Sequence, residues 1–217
     1  MIKGIIFDMD GVLYDSQRIH FRSERMTVAH FGGRITDAEL TEYLGWNERA
    51  FWEDVIRRCK LKATVAEIER FERPLVEKMM EREIKRDRKL IGLLSRLRRM
   101  GLKLAVASSS NGHLVSLVLR KLGISDFFDA VVSGEMVEKS KPEPDIFLAA
   151  AKRAGIKPGD CIVVEDAPAG IEAAGRGRMH PVALRGKVNG RLDLSKSERE
   201  IKDLGELLGI LEDMGTI

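Results

Sequence analysis

Apolar and polar positions along the chain follow two rhythms. Near the start, Ile5, Ile6 and Phe7 form an unbroken apolar run that gives way to Asp8, Asp10 and Gly11, which predicts a strand over residues 3–8 with acids at its carboxyl end. From residue 18 to residue 88 the apolar positions instead recur at three and four, the spacing of one helix face. A long helix is expected over residues 18–31, followed by helices in TDAELTEYL, NERAFWEDVIRRC and TVAEIERFERPLVEKMMEREIKR. Pro74 lies within the last of these and is expected to start a new helix there or to kink this one. A crossover between parallel strands needs only about a dozen residues, so this block is an inserted helical domain.

Beyond it the rhythm alternates. A helix over 90–100, closed by Gly101, precedes strands over 103–107, 130–133, 161–165 and 181–184 and helices over 113–122, 144–154 and 169–176, with a last helix over 201–214. Runs such as LAVA and IVV are apolar on consecutive residues, as strands covered on both faces are. Strands alternating with helices predict an α/β, doubly wound parallel sheet.

Residues i and i+2 of an extended segment project to one side, so Asp8 and Asp10 can share one small volume, where they repel unless a cation or a shared proton intervenes. Gly11 permits a tight turn above the strand, in the crevice where open parallel sheets bind ligands. Taken alone, the pair also reads as ordinary turn and cap residues. Three later polar signals each lie at or near the end of an apolar run: Ser108, Ser109 and Ser110 after LKLAVA, Lys141 in SKPEPDIF, and Glu165 and Asp166 after CIVV.

Charge narrows the function classes. The 217 residues carry 37 Lys plus Arg and 34 Asp plus Glu, a net charge of +3 drawn from a densely mixed population. Runs such as EREIKRDRK interleave both signs, the pattern of a solvated, ion-paired face, and make a poor nucleic-acid footprint despite a pI near 8.9. Cys59 and Cys161 have no metal-ligand spacing and read as reduced thiols of a cytoplasmic protein. Lys3 interrupts an apolar start too short for a signal peptide, and no run reaches the length of a membrane span. A monomer is expected from the mixed-charge surface.

Together, DMDG after the first strand, the serine run, SKPEPDIF and VVEDAPAGIEAA resemble, in order and nearly complete, the motifs of the haloacid dehalogenase superfamily, in its beta-phosphoglucomutase-like and phosphoglycolate-phosphatase-like branch. The resemblance covers essentially the whole chain. It implies a Rossmann-like core over residues 1–15 and 89–217, with an all-helical cap over 16–88.

The resemblance also implies a Mg²⁺-dependent phosphatase acting on a small phosphorylated metabolite. Asp8 would be the nucleophile that forms an aspartyl phosphate, and Asp10 the acid that protonates the leaving oxygen and then deprotonates water. Asp8, Asp166 and the backbone carbonyl of Asp10 would hold Mg²⁺, with Glu165 ligating directly or through water. Ser108, with amides near Ser109, would bind the phosphate, and Lys141 would place a positive charge between it and Asp8. Helix capping by Glu165, Asp166 and Ser108 remains a parallel reading. In the cap, His20, Trp46 and Arg49 are candidates for substrate contact, with a structural histidine as the alternative for His20 and cap core as the alternative for the tryptophan and arginine.

Related mutases carry a Lys-Gly pair in the cap followed by an arginine. Here the stretch from Tyr43 reads YLGWNER, with Leu44 in place of the lysine and one more residue before Arg49, which favours hydrolysis over phosphoryl transfer to a sugar. Dehalogenase relatives lack the acid that Asp10 supplies. A receiver-type phospho-acceptor pairs its acids on the first strand but accepts phosphate on a later one, so order and the large insertion both speak against it.

Overall fold

A computed structural model describes residues 1–44, 46, 48–186 and 189–216. The elements run β1 (Gly4–Phe7), α1 (Gln17–His30), α2 (Asp37–Thr41), α3 (Glu48–Cys59), α4 (Val65–Glu83), α5 (Arg88–Arg99), β2 (Lys103–Ser108), α6 (Gly112–Leu122), β3 (Ala130–Ser133), α7 (Asp145–Ala154), β4 (Cys161–Glu165), α8 (Pro168–Arg176), β5 (His180–Leu184), β6 (Arg199–Ile201) and α9 (Leu207–Asp213). The chain divides into two compact units, Met1–Asp15 with Ile84–Ile217, and Ser16–Glu83.

The first unit is a six-stranded sheet in the order β3-β2-β1-β4-β5-β6, every neighbouring pair parallel, flanked by helices. All four residues of β1 and all five of β4 are buried, as two covered faces require. Small side chains let helices sit close. Ala150, Ala151 and Ala154 of α7 and Ala173 and Ala174 of α8 pack with Ile6, Ala105, Val132 and Val163 of the strands around Phe147. From β1 the strand order builds outward to β3 and then resumes on the other side with β4. The crevice at the carboxyl ends of β1 and β4 is therefore the topological switch point of the sheet.

The second unit holds α1 to α4 around its own core of Val28, Leu40, Phe51, Trp52, Val55 and Ile68. The helical periodicity of residues 18–88 thus reports a separate bundle.

Three expectations change. The return to the sheet unit falls at Ile84 rather than at 89: α4 stops at Glu83, and the Asp87 amide already donates to the Leu122 carbonyl at 3.2 Å. Of the two outcomes expected at Pro74, a new helix is not what forms: α4 runs continuously from Val65 to Glu83 through Pro74, which is exposed. The helix expected over 201–214 is confined to α9, preceded by the strand β6 at the sheet edge. That strand is three residues long and charged, and Arg185 Nε and Nη2 bond both carboxylate oxygens of Glu200 at 2.9 and 2.6 Å, so its pairing owes as much to side chains as to an apolar pattern. Among the described residues no helix is long and apolar enough to cross a membrane.

Candidate active site

Asp8 follows the last residue of β1, and its amide extends the ladder to β4 by donating to the Val164 carbonyl at 3.0 Å. This places its side chain, which is buried, at the switch point. The chain then folds back at once. The amides of Val12, Leu13 and Tyr14 converge on the Met9 carbonyl, and the Gly11 amide donates to the Tyr14 carbonyl at 2.8 Å. Gly11 has φ +79°, and a Cβ there would overlap Asp166 Oδ2. A glycine is thus required twice, by the turn and by the acid packed against it.

Asp166 stands at the carboxyl end of β4, beside Glu165. Lys141, from the loop before α7, reaches both acid-bearing strands: its Nζ lies 2.5 Å from Asp8 Oδ1 and 2.6 Å from Glu165 Oε1. The same ammonium sits 4.9 Å from the centre of the buried Phe147 ring, a cation–π contact that steadies it from the α7 side. Burial alone would lower the Lys141 pKa, but Asp8 and Glu165 outweigh it and hold the ammonium above the usual lysine range. Burial raises Asp8 to about 8; Lys141 opposes that rise while Glu165 and Asp10 add to it. Burial, with Glu165 and Asp8, likewise holds Asp166 well above the usual carboxylate range. One buried cation therefore serves a set of acids that outnumber it.

Glu165 was expected to ligate metal directly or through water, and in the structure both its oxygens hold protein partners. Oε1 accepts from Lys141, and Oε2 accepts from the amides of Asp166 and Ala167, each at 2.8 Å. Gly170 leaves the room this requires, since a Cβ there would overlap Glu165 Oε1. Glu165 thus anchors Lys141 and the turn into α8. Among the described residues, no three His, Cys, Asp or Glu side chains gather as a metal-binding group. What remains is a hard, all-oxygen donor set in which the buried Asp8 and the half-buried Asp166 are crowded and share little positive charge. That suits Mg²⁺, which is commonly held by one or two carboxylates and keeps several waters.

Of the serines at the end of β2, Ser108 is buried and its Oγ accepts from the Ser110 amide at 3.1 Å, retaining its own proton to donate. Ser109 is exposed, its carbonyl so close under Gly134 that a Cβ on that glycine would overlap it. Ser110, grouped with the other serines in the sequence but given no role there, has its Oγ donating to Asp10 Oδ2 at 2.9 Å, which fixes the orientation of that acid. Three adjacent hydroxyls gave no sign of which one turns toward Asp10. Phe147 and Asn189 were also missed. The first looks like any core aromatic, and the second lies in the loop after β5, where its amide donates to the Asp166 carbonyl at 2.8 Å.

His20, Trp46 and Arg49 belong to the helical unit. His20 sits on α1, where the Ser23 hydroxyl donates to its carbonyl and Glu24 and Glu72 feel its charge. Trp46 is 52% exposed and meets the Tyr43 ring edge-on at 5.2 Å, while Trp52 is 1% exposed, in the core. Arg49 is solvent-facing and pairs with Glu53 at 3.0 Å. Of the stretch compared with the mutases, Gly45 and Asn47 lie outside the described residues.

A doubly wound sheet with a buried aspartate at the switch point, a second aspartate two residues on and a lysine bridging to the neighbouring strand's acid marks an α/β enzyme with its candidate site at the carboxyl end of the first strand. Residues 2–177 match the haloacid dehalogenase-like hydrolase family. The chain belongs to that family and is a hydrolase of it. It is 30% identical over 187 residues to fructose-1-phosphate phosphatase YqaB of Escherichia coli K12, covering 84% of this chain and 96% of that one. Beta-phosphoglucomutase of Bacillus subtilis 168 is 32% identical over 197 residues, covering 84% of this chain and 83% of the enzyme. A chloroplastic protein of Arabidopsis thaliana, SUPPRESSOR OF QUENCHING 1, is 33% identical over 228 residues, but the chain, matched along 100% of its length, spans only 20% of that protein. Among solved structures, CbbY from Rhodobacter sphaeroides in complex with phosphate superposes with a TM-score of 0.84 at 25% identity, over 95% of this chain and 96% of that one.

Proposed function

We propose that the chain is a Mg²⁺-dependent phosphatase that hydrolyses a small phosphorylated metabolite, of the sugar-phosphate or phosphoglycolate kind, through an aspartyl phosphate on Asp8. The observation that carries this reading is the buried Lys141 bridge between Asp8 and Glu165, which orients the Asp8 carboxylate at the switch point and supplies fixed positive charge where a phosphoryl group would arrive. An Asp8 carboxylate oxygen attacks phosphorus in line as the ester P–O bond breaks. Asp10, oriented by Ser110, gives its proton to the departing oxygen and then takes one from the water that attacks the acyl phosphate, returning Asp8 and releasing inorganic phosphate. The Ser108 hydroxyl and the backbone amides that follow it donate to phosphate oxygens, and Lys141 neutralises charge on them. Asp8, Asp166 and the carbonyl of Asp10 would hold Mg²⁺, which would add further charge neutralisation.

A second reading, phosphoryl transfer between positions of a sugar phosphate, is favoured by the beta-phosphoglucomutase relative. Leu44, where the mutases resembled above carry a lysine, weighs against it.

The test is phosphate release from a panel of small phosphomonoesters, with and without Mg²⁺, by wild type and Asp8→Asn. Release is expected to need Mg²⁺ and to fall by about four orders of magnitude or more in the variant, with its melting temperature retained. Undiminished release by Asp8→Asn would falsify the nucleophile assignment. Interconversion of hexose phosphates in the presence of a bisphosphate primer, without release, would favour the mutase.

A further inference from the structure

The loop after β5 carries no motif, yet one of its residues is buried with every polar atom engaged. Asn189 Oδ1 accepts from the Gly186 amide at 2.7 Å, and Nδ2 donates to the carbonyls of Leu184 at 3.0 Å and Asp166 at 2.8 Å. The side chain therefore ties the end of β5 to the turn that follows β4. Asp166 is held from the other side as well, because its own amide donates to Glu165 Oε2 at 2.8 Å. Its backbone is pinned at both the N–H and the C=O, and its carboxylate lies against the face of Gly11 that lacks a Cβ. Among the described residues, Lys141 serves Asp8 and Glu165 and Ser110 serves Asp10, and neither group reaches the Asp166 carboxylate with a hydrogen bond.

We infer that Asn189 is a positioning residue for the Asp166 carboxylate, setting the affinity of the site for Mg²⁺ without touching the ion. This rests on the reading of Asp166 as a Mg²⁺ ligand. Partners of metal ligands that fix their orientation contribute about 10–100-fold to metal affinity. Here the leverage passes through the main chain: the Asp166–Ala167 peptide is held at its carbonyl by Asn189 and at its N–H by Glu165 Oε2, and loss of the first hold lets it tilt about the second, shifting the carboxylate over Gly11.

Asn189→Asp separates this role from loop support. The isosteric carboxylate still accepts from Gly186 but donates nothing to Asp166 or Leu184. Arg185→Ala is the control, since Arg185 Nη1 holds the same loop through the carbonyls of Gly190 and Leu192 and makes no bond to Asp166. Mg²⁺ binding to the whole chain, followed by titration calorimetry without substrate, is expected to weaken about tenfold or more in Asn189→Asp and to stay within about twofold of wild type in Arg185→Ala, even where Arg185→Ala melts earlier. Asn189→Ala provides the same reading should the aspartate variant not fold. Wild-type affinity in the folded Asn189 variant, or an equal loss in Arg185→Ala, overturns the inference while leaving the metal site in place. Absence of Mg²⁺ binding by wild type overturns both the inference and the Mg²⁺ reading it rests on.

Discussion

At the scale of single residues the site is held by what is left out as much as by what is present. Gly11 combines a left-handed backbone with an acid packed where its side chain would be. Gly11→Ala adds about 1–2 kcal/mol of backbone strain, and the methyl group must also displace the Asp166 carboxylate. Phosphate release is therefore expected to fall by two orders of magnitude or more, on the order of the loss from misplacing a reacting group by about an ångström. The melting temperature should drop only modestly, because the sheet beneath is untouched. A variant with near-wild-type turnover would show that Asp166 does not need its place over Gly11. Acids with a fixed place at a strand end, Asp8, Asp10 and Asp166, and Lys141, marked by its setting in SKPEPDIF, were legible in the sequence as candidates. Ser110 and Asn189 were not, because their roles depend on which of several equivalent polar groups the folded backbone turns inward.

At the scale of elements, legibility followed periodicity. The strands β3 and β4 begin and end where their apolar runs do, and α3 spans its amphipathic stretch. The edge strand β6 had no such run, and Pro74 carried a local rule that the packed helix α4 overrides. Less legible still was the acid cluster formed where α1, α3 and α4 meet. Burial pushes Glu24 up to about 7; His20 opposes that rise, and Glu72 and Glu48 reinforce it. Burial also pushes Glu72 up to about 7, opposed by the Ser23 hydroxyl at 2.9 Å, His20 and the Trp52 side chain and reinforced by Glu48. A folded-state pKa above the unfolded value of 4.5 means that the native state keeps its proton longer, so stability from this group is full below about 4.5 and declines as pH rises to about 7. Glu24→Gln removes that decline. Urea unfolding at pH 5 and pH 9 is expected to show the variant gaining on wild type by on the order of 1–3 kcal/mol at the higher pH. An equal difference at both pH values would mean that Glu24 is solvated in the native state.

At the scale of the whole molecule, the proposed reading takes nucleophile, acid and fixed charge from the sheet unit, a set that serves hydrolysis and transfer alike. The outcome depends on who reaches the aspartyl phosphate first, water or a sugar hydroxyl. A mutase must hold its bisphosphate intermediate by a second phosphate while it turns over, which calls for cationic side chains reserved for that group. In the helical unit the lysine of the resembled mutases is Leu44, and Arg49 is solvent-facing and paired with Glu53. On the proposed reading a second phosphate is not retained, and the phosphorylated enzyme is expected to lose its phosphoryl group to water. Mixing the enzyme with a phosphate-labelled substrate in the presence of a second, unlabelled sugar phosphate tests this directly. More than about nine-tenths of the label should appear as inorganic phosphate, an energetic preference of at least about 1.4 kcal/mol for the water path. Label accumulating on the second sugar phosphate would show that the unit recognises two phosphates with groups other than a lysine at position 44, and would make the chain a transferase.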